Sequence, residues 1–295
     1  MKMSEYIRSC DDDFRARLYS VSDCISGSIN NTKAIRLISL SGPTCSGKTT
    51  AAVMLAARLE ERGRRVNIIS IDDFYYDREY LHRLSKFKGL DGIDYDSVDT
   101  IDTAALTRFV DEALGETVVH CPIFNFKTGN REGYRELRAG KDDVFIFEGI
   151  QAIYPEITAL FEPHGFVSVY IAPMSELRVG AKTFLPNEIR LMRRLVRDHN
   201  FRNTDAEFTM HLWESVRANE ERSIFPYADT CVHRIDSTMK YEIGVLKPFL
   251  DELLPRIPED SPYYANARYI LEKISNVEAI DASLIEADSL YREFV

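Results

Sequence analysis

Short apolar runs alternate with amphipathic segments along most of the chain. The apolar runs are bounded by polar residues and predict buried strands at 34–40, 65–71, 117–120, 142–148, 166–171 and 227–233. Helical periodicity predicts helices at 49–62, 102–114, 187–198, 205–223, 241–253 and 263–275. This order is typical of an α/β protein in which helices flank a mainly parallel central sheet.

The two ends of the chain depart from this alternation. We interpret residues 1–33 as an N-terminal helical appendage, with a helix over 14–21 and a polar connector over 26–32. The α/β domain is expected over 34–250. Several prolines then interrupt the chain, and we expect 251–295 to form a helical extension packed on the same domain.

One polar segment, 77–99, stands between a predicted strand and a predicted helix. Connections of this length are uncommon in compact domains unless they are functional or disordered. We therefore expect a substrate-facing insertion at this point of the chain.

Composition excludes several classes of protein. The 295 residues are 45% apolar and can bury a large core, whereas no stretch approaches the ~18 apolar residues that span a membrane. A net charge of −10 argues against a general nucleic-acid binder, which needs a basic surface. The five cysteines are scattered and the N-terminus lacks a signal-peptide pattern. We expect a cytoplasmic protein with reduced thiols and no nucleic-acid or membrane partner, and homo-oligomerisation stays open.

A glycine-bounded loop follows the first predicted strand of the domain, with the spacing Gly-x-x-x-x-Gly-Lys-Thr from Gly42. Gly42 and Gly47 permit the tight backbone in which successive N–H groups point at a polyphosphate. Lys48 is positioned to reach the β and γ phosphates, and the hydroxyl of Thr49 to bind Mg²⁺. The following helix adds its positive N-terminal dipole.

The loop therefore predicts ATP and Mg²⁺ as cofactors. The predicted nucleotide-binding residues are Gly42, Pro43, Thr44, Cys45, Ser46, Gly47, Lys48, Thr49 and Thr50. Cys45 raises the hypothesis of a redox switch, because a thiol near a helix N-terminus can have a lowered pKa. The alternative is that Cys45 only fills a small space.

A carboxylate ends the apolar run of the strand at 142–148. In open α/β sheets ligands bind beyond the carboxyl ends of the strands, which is also where the loop from Gly42 lies. We expect Glu148 to act on Mg²⁺ or its waters, as carboxylates do in phosphoryl-transfer sites. The alternative is a solvated acid at the end of a strand.

Four arginines recur at i, i+3, i+4 and i+7 in the helix at 187–198 and so share one face. They are Arg190, Arg193, Arg194 and Arg197. One interpretation is a lid over about 187–224, whose guanidinium groups clamp phosphate oxygens. The other is a solvated charged face. Trp213, in the next helix, is expected to be a core residue rather than a base-stacking platform.

These motifs together resemble the uridine kinase and phosphoribulokinase-like family of P-loop kinases, from about residue 35 to the C-terminus. The resemblance rests on the loop, on Ser70-Ile-Asp-Asp-Phe-Tyr-Tyr76, and on the segments 92–95, 122–131, 146–150 and 190–198. It implies a P-loop NTPase fold and transfer of the γ-phosphoryl of ATP to a hydroxyl of a small molecule, first of all a nucleoside. It is strongest toward a bacterial uridine kinase-like branch, without the synthetase-like N-terminal domain of that branch's longer members.

The resemblance also implies roles for individual residues. Asp72 takes the proton from the acceptor hydroxyl, although the adjacent Asp73 is an open alternative as the base. Arg194 and Arg197 match phosphate-contacting lid arginines. The implied acceptor-binding residues are Asp73, Tyr75, Asp94, Phe124 and Arg131.

The chain departs from uridine kinases in the acceptor segment. Phe124-Asn-Phe126 and then Gly129 stand where those enzymes carry Tyr-Asp-Phe and a base-reading histidine, and Arg202-Asn-Thr204 stands where Arg-Gly-Arg is usual. The phosphate machinery is unaffected by these changes, but the nucleoside pocket is altered. Two alternatives therefore stay open: a kinase of a non-nucleoside alcohol, such as a sugar phosphate or a pantothenate-like acid, and a nucleotide-binding regulatory protein without acceptor activity.

Overall fold

Parallel strands form the centre of the computed structural model, which describes residues 2–32, 35–90, 92–115 and 117–295. The strands are β1 (Leu37–Ser41), β2 (Val66–Ser70), β3 (Val118–Asn125), β4 (Asn130–Arg138), β5 (Val144–Glu148), β6 (Phe166–Ala172), β7 (Leu177–Val179), β8 (Lys182–Phe184) and β9 (His233–Asp236). Five of them make one sheet in the order β2-β5-β1-β6-β9, and every neighbouring pair is parallel. The carboxyl ends of these strands therefore share one edge of the sheet.

Helices cover both faces of this sheet. They are α1 (Met3–Thr32), α2 (Lys48–Glu61), α3 (Arg78–Phe87), α4 (Thr103–Leu114), α5 (Pro155–Phe161), α6 (Pro186–Arg202), α7 (Ala206–Ser223), α8 (Phe225–Ala228), α9 (Glu242–Leu253) and α10 (Tyr264–Ile274). Ile38 and Leu40 of β1 pack in one core with α1, α2, α6 and α9, whereas Leu37 packs in a second core with α4 and α5. This architecture confirms the predicted α/β fold class. In the described part of the chain no helix is both long and apolar enough to cross a membrane.

Two strand predictions need correction. The strand predicted at 227–233 is wrong, because the helix α8 starts at Phe225 with Pro226 in its first turn and β9 begins only at His233. The run predicted at 117–120 belongs to β3, but β3 pairs antiparallel with β4 in a separate hairpin and does not join the central sheet. The strand β4 was missed because most of its side chains are charged or exposed.

The N-terminal segment is one helix, and the polar connector predicted at 26–32 is wrong. Buried residues recur at helical spacing along α1, from Ile7 and Phe14 to Ile25 and Ile29, and they join the core that α2 also lines. Burial of this stripe outweighs the weak helix propensity of Gly27 and its polar neighbours.

The arginine helix α6 is largely excluded from solvent, so the interpretation as a solvated charged face is wrong. Arg190 binds Glu220 through Nη2 at 2.6 Å, and Arg193 binds Glu242 through Nε at 2.6 Å. Both partners of each of these two ion pairs are almost completely buried. Arg193 also donates to the backbone oxygen of Ser237 at 2.7 Å.

We expect Arg193→Met to lower the free energy of unfolding by about 3–5 kcal/mol, because Glu242 is left as an uncompensated buried charge. Urea denaturation followed by circular dichroism measures this change. Arg83→Met is the matched control, since Arg83 forms an exposed pair with Glu79 at 2.9 Å and such pairs contribute little. Equal effects of the two substitutions would contradict the structural role of Arg193.

Candidate active site

The loop between β1 and α2, residues 42–49, is shaped to hold an anion; we call it the phosphate loop. Cys45 and Gly47 lie in the left-handed region, with φ of 58° and 89°. Left-handed residues within a tight loop turn successive N–H groups toward one concave side. Because α2 begins at Lys48 with Gly47 as its N-cap, no capping side chain competes for the first-turn N–H groups.

Three further observations fit a polyphosphate in the phosphate loop. The hydroxyl of Ser46 is buried and has no hydrogen-bond partner among the described residues. A Cβ atom on Gly42 would lie 2.0 Å from the backbone oxygen of Ile171, so only glycine allows this approach. Nζ of Lys48 donates to the backbone oxygen of Pro43 at 3.0 Å, which keeps the ammonium group over the loop.

Glu148 lies at the carboxyl end of β5, directly beside β1. Burial raises the pKa of Glu148 to about 7, the nearby Lys48 opposes this rise, and Asp72 and Glu293 add repulsion. Within the described residues no group of three His, Cys, Asp or Glu side chains is arranged to hold a metal ion. Mg²⁺ bound here would therefore need phosphate oxygens as ligands, in addition to Glu148 and the hydroxyl of Thr49 in the first turn of α2.

The two candidate bases, Asp72 and Asp73, point to different surroundings. Both belong to a 3₁₀ turn, Ile71–Phe74, that follows β2. Burial raises the pKa of Asp72, while the nearby Lys48 lowers it. Asp73 instead accepts the backbone N–H of Phe124 at 3.1 Å and so holds the β3–β4 hairpin. Only Asp72 of the pair faces both the phosphate loop and the cavity described next.

A cavity of about 1050 Å³ opens beside Asp72; we call it the acceptor cavity. Its lining is formed by Asp72, Arg78, Tyr95, Phe124, Phe126, Lys127, Arg194, His199, Asn200, Phe201, Arg202 and Asn203. The aromatic side chains come from the β3–β4 hairpin, from the segment predicted as an insertion and, in the case of Phe201, from α6. The C-terminal end of α6 and the residue after it complete the lining.

Several predicted acceptor residues build the wall without opening onto the cavity. The buried Tyr75 packs edge-to-face against Phe124 with ring centroids 5.4 Å apart, and its hydroxyl donates to the backbone oxygen of Tyr95 at 2.8 Å. Arg131 donates to the backbone oxygens of Phe74 and Tyr75 at 2.9 and 2.8 Å. Its guanidinium group therefore fastens the hairpin to the segment that carries Asp72.

Asp94, another of the implied acceptor-binding residues, lies elsewhere. It lines a neighbouring cavity of about 370 Å³ and pairs with Arg222 at 3.5 Å. Asp96, which sequence reasoning missed, lies closer to the site. Burial raises its pKa to about 6, Asp94 adds to the rise, Arg194 opposes it, and Asp72 is also near enough to raise it. The only sequence feature that could have pointed to Asp96 is that it is a second acid, two residues after Asp94 in the same polar segment.

Arginines of α6 fall into two groups. Arg190 and Arg193 donate to the backbone oxygens of Thr44 and Cys45, each at 3.3 Å, and so support the phosphate loop from below. The other group consists of Arg194, Arg197 and Arg202, which all pair with the single carboxylate of Asp198. This second group keeps an excess of positive charge at the edge of the acceptor cavity. Arg202 was not among the predicted site residues.

Trp213 of α7 is partly buried and lies under the arginines of α6. The guanidinium carbons of Arg190 and Arg194 lie 5.2 and 5.9 Å from its ring centroid. This packing is typical of cation–π contacts. Cys45, the residue of the redox hypothesis, is buried with 2% of its surface exposed, so a reagent would reach its thiol only if the loop opened.

Comparisons with known proteins agree with this geometry. The sequence profile of the phosphoribulokinase/uridine kinase family matches residues 37–239. A uridine kinase of Ureaplasma urealyticum is 28% identical over 186 residues, which cover 63% of this chain and 80% of that protein. Uridine-cytidine kinase 2-B of Danio rerio is 27% identical over 217 residues, covering 69% and 76% respectively.

Solved structures agree on the fold. The YGR205w protein superposes with a TM-score of 0.51 at 17% identity, over 68% of this chain and 82% of its own. YFH7 of Saccharomyces cerevisiae superposes with a TM-score of 0.50 at 12% identity, over 74% and 98%. The phosphate loop, the acids at the strand ends and the arginine helix all lie within the matched sequence, and the chain belongs to the phosphoribulokinase/uridine kinase family of ATP-dependent kinases.

Proposed function

We propose that this kinase transfers the γ-phosphoryl of ATP to a hydroxyl of a small molecule bound in the acceptor cavity. The observation that carries the proposal is the position of Asp72. Asp72 lines the acceptor cavity, and burial raises its pKa while the ammonium group of Lys48 is close enough to offset part of that rise. A hydroxyl bound against Asp72 would therefore face a phosphate held by Lys48.

The residues of the chain have two kinds of role: some hold the phosphates of ATP, and others act on the groups that react. The N–H groups of the phosphate loop and Lys48 hold the β and γ phosphates. Asp72 orients the acceptor hydroxyl and accepts its proton. Arg194 and Arg197 neutralise charge on the transferred group. Thr49 and Glu148 would hold Mg²⁺, which would supply positive charge to offset that of the phosphates.

A nucleoside is the first candidate for the acceptor. The aromatic rings of Tyr95, Phe124 and Phe126 line the acceptor cavity and suit a flat base. We assign the ribose hydroxyls to Asp96, in place of Asp94, because Asp96 is the acid that lies near Asp72 and Arg194. The relatives named uridine kinase support this acceptor class.

We expect Asp72→Asn to lower kcat roughly 10²–10⁴-fold while leaving ATP affinity unchanged, because only the proton acceptor is lost. Initial rates of ADP formation and equilibrium ATP titration measure the two quantities. Asp73→Asn is the matched control, since its amide oxygen can still accept the N–H of Phe124. Loss of turnover in Asp73→Asn alone would transfer the role of base to Asp73.

A second candidate acceptor is an alcohol that carries its own negative charge. Arg78 and Lys127 also line the acceptor cavity. In the described part of the chain neither side-chain cation has a hydrogen bond or an ion pair. Arg78 is also held in place, because its backbone N–H donates to the backbone oxygen of Gly129 at 2.7 Å and its side chain covers that glycine. A carboxylate or phosphate on the acceptor would pair with these cations.

A panel of neutral nucleosides, sugar phosphates and hydroxy acids distinguishes the two candidates by ADP formation. If the acceptor is anionic, we expect Arg78→Gln to raise its KM roughly tenfold or more, since a charge-assisted contact is lost. Arg83→Gln, an exposed change on the same helix, is the control. A neutral nucleoside with a KM insensitive to Arg78→Gln excludes the second candidate. Tight ATP binding without turnover on any acceptor would support the regulatory alternative.

A further inference from the structure

The end of the chain folds back onto the phosphate loop. The 3₁₀ turn Leu290–Glu293 belongs to what we call the C-terminal segment, residues 285–295, which lies outside the residues that match the family. Leu290 is buried against Gly47, where an added Cβ atom would lie 2.5 Å from the leucine side chain. The segment therefore closes over the point at which α2 begins.

Buried contacts hold the C-terminal segment in this place. The side chains of Tyr291 and Phe294 are fully excluded from solvent. The hydroxyl of Tyr291 donates to Glu242 at 3.2 Å. The guanidinium carbon of Arg193 lies 4.9 Å from the ring centroid of Phe294 and 5.5 Å from that of Tyr291. Because Arg193 also supports the phosphate loop, the segment and the loop share one anchor.

This packing aims one carboxylate into the nucleotide site. The hydroxyl of Thr50, in the first turn of α2, donates to Oε2 of Glu293 at 3.2 Å. Glu293 is also near enough to raise the pKa values of Glu148 and Arg197. The carboxylate of Glu293 is therefore close to the start of α2, where phosphates are expected. It is also close to Glu148 at the end of β5 and to Arg197 of α6.

We propose that Glu293 makes nucleotide binding depend on a bound divalent cation. A phosphate oxygen must take the hydrogen bond of Thr50 from Glu293 and come to rest beside that carboxylate. The phosphate and the carboxylate of Glu293 are both negative, and they repel each other when they are close together and partly shielded from water. A divalent cation on the nucleotide offsets the repulsion, so Glu293 selects the metal-complexed nucleotide against the free one. The assignment rests on ATP being the ligand of the phosphate loop but not on the nature of the acceptor.

Calorimetric titration with ATP tests the proposal on the full chain without any acceptor, once in excess MgCl₂ and once in EDTA, at low salt where screening is weak. For Glu293→Gln we expect the affinity for metal-free ATP to rise about tenfold, because the repulsion is removed, and the affinity for MgATP to change much less. The ratio of the two dissociation constants should therefore fall about tenfold.

Two further variants separate charge from packing. Glu293→Asp keeps the charge and should keep the metal dependence of the native chain, and Glu278→Gln removes the same charge from an exposed position and should change neither constant. An unchanged ratio in Glu293→Gln, or weaker binding of MgATP, would overturn the proposal. Because turnover is not measured, this failure is distinct from a failure of the kinase proposal. ATP that binds in neither solution would instead overturn the nucleotide assignment itself.

Discussion

The buried ion pair between Arg193 and Glu242 connects the phosphate loop to the rest of the molecule. A guanidinium group without water needs acceptors for its donors, and Arg193 finds them in Glu242 and in the backbone oxygens of Cys45 and Ser237. Two aromatic rings of the C-terminal segment, those of Tyr291 and Phe294, also pack against its guanidinium group. The shape of an eight-residue loop thus depends on an arginine that lies 148 positions further along the chain.

The parallel sheet accounts for the rest of the site. Neighbouring strands β1, β5 and β2 end at one edge, so the phosphate loop, Glu148 and Asp72 meet there although they are far apart in sequence. The β3–β4 hairpin is attached to this edge by Arg131 and Asp73. In the proposed mechanism the donor and acceptor sites are joined at Asp72, and the aromatic and cationic residues proposed to select the acceptor line the cavity beside it.

Prediction succeeded where the signal was local. The strands around the phosphate loop, the helix after it and the acid at the end of β5 follow from apolar periodicity and from a spacing that ligand chemistry demands. It failed where burial by distant residues decided the conformation, as in the connector of α1, or where a strand carries charged residues, as in β4. The sequence gives no ground for choosing between Asp94 and Asp96 as a site residue, because both are acids in a polar segment that has no periodicity.

The sequence by itself determined the α/β class, the phosphate loop and the set of acids and arginines that could serve a kinase, since each is a local pattern with its own chemistry. Only the tertiary structure decided how that set is divided. It buried Arg190 and Arg193 beneath the loop, turned Asp73 to the hairpin and Asp72 to the cavity, and brought Glu293 against Thr50. The physical reason is that burial and ion pairing depend on which residues meet in space.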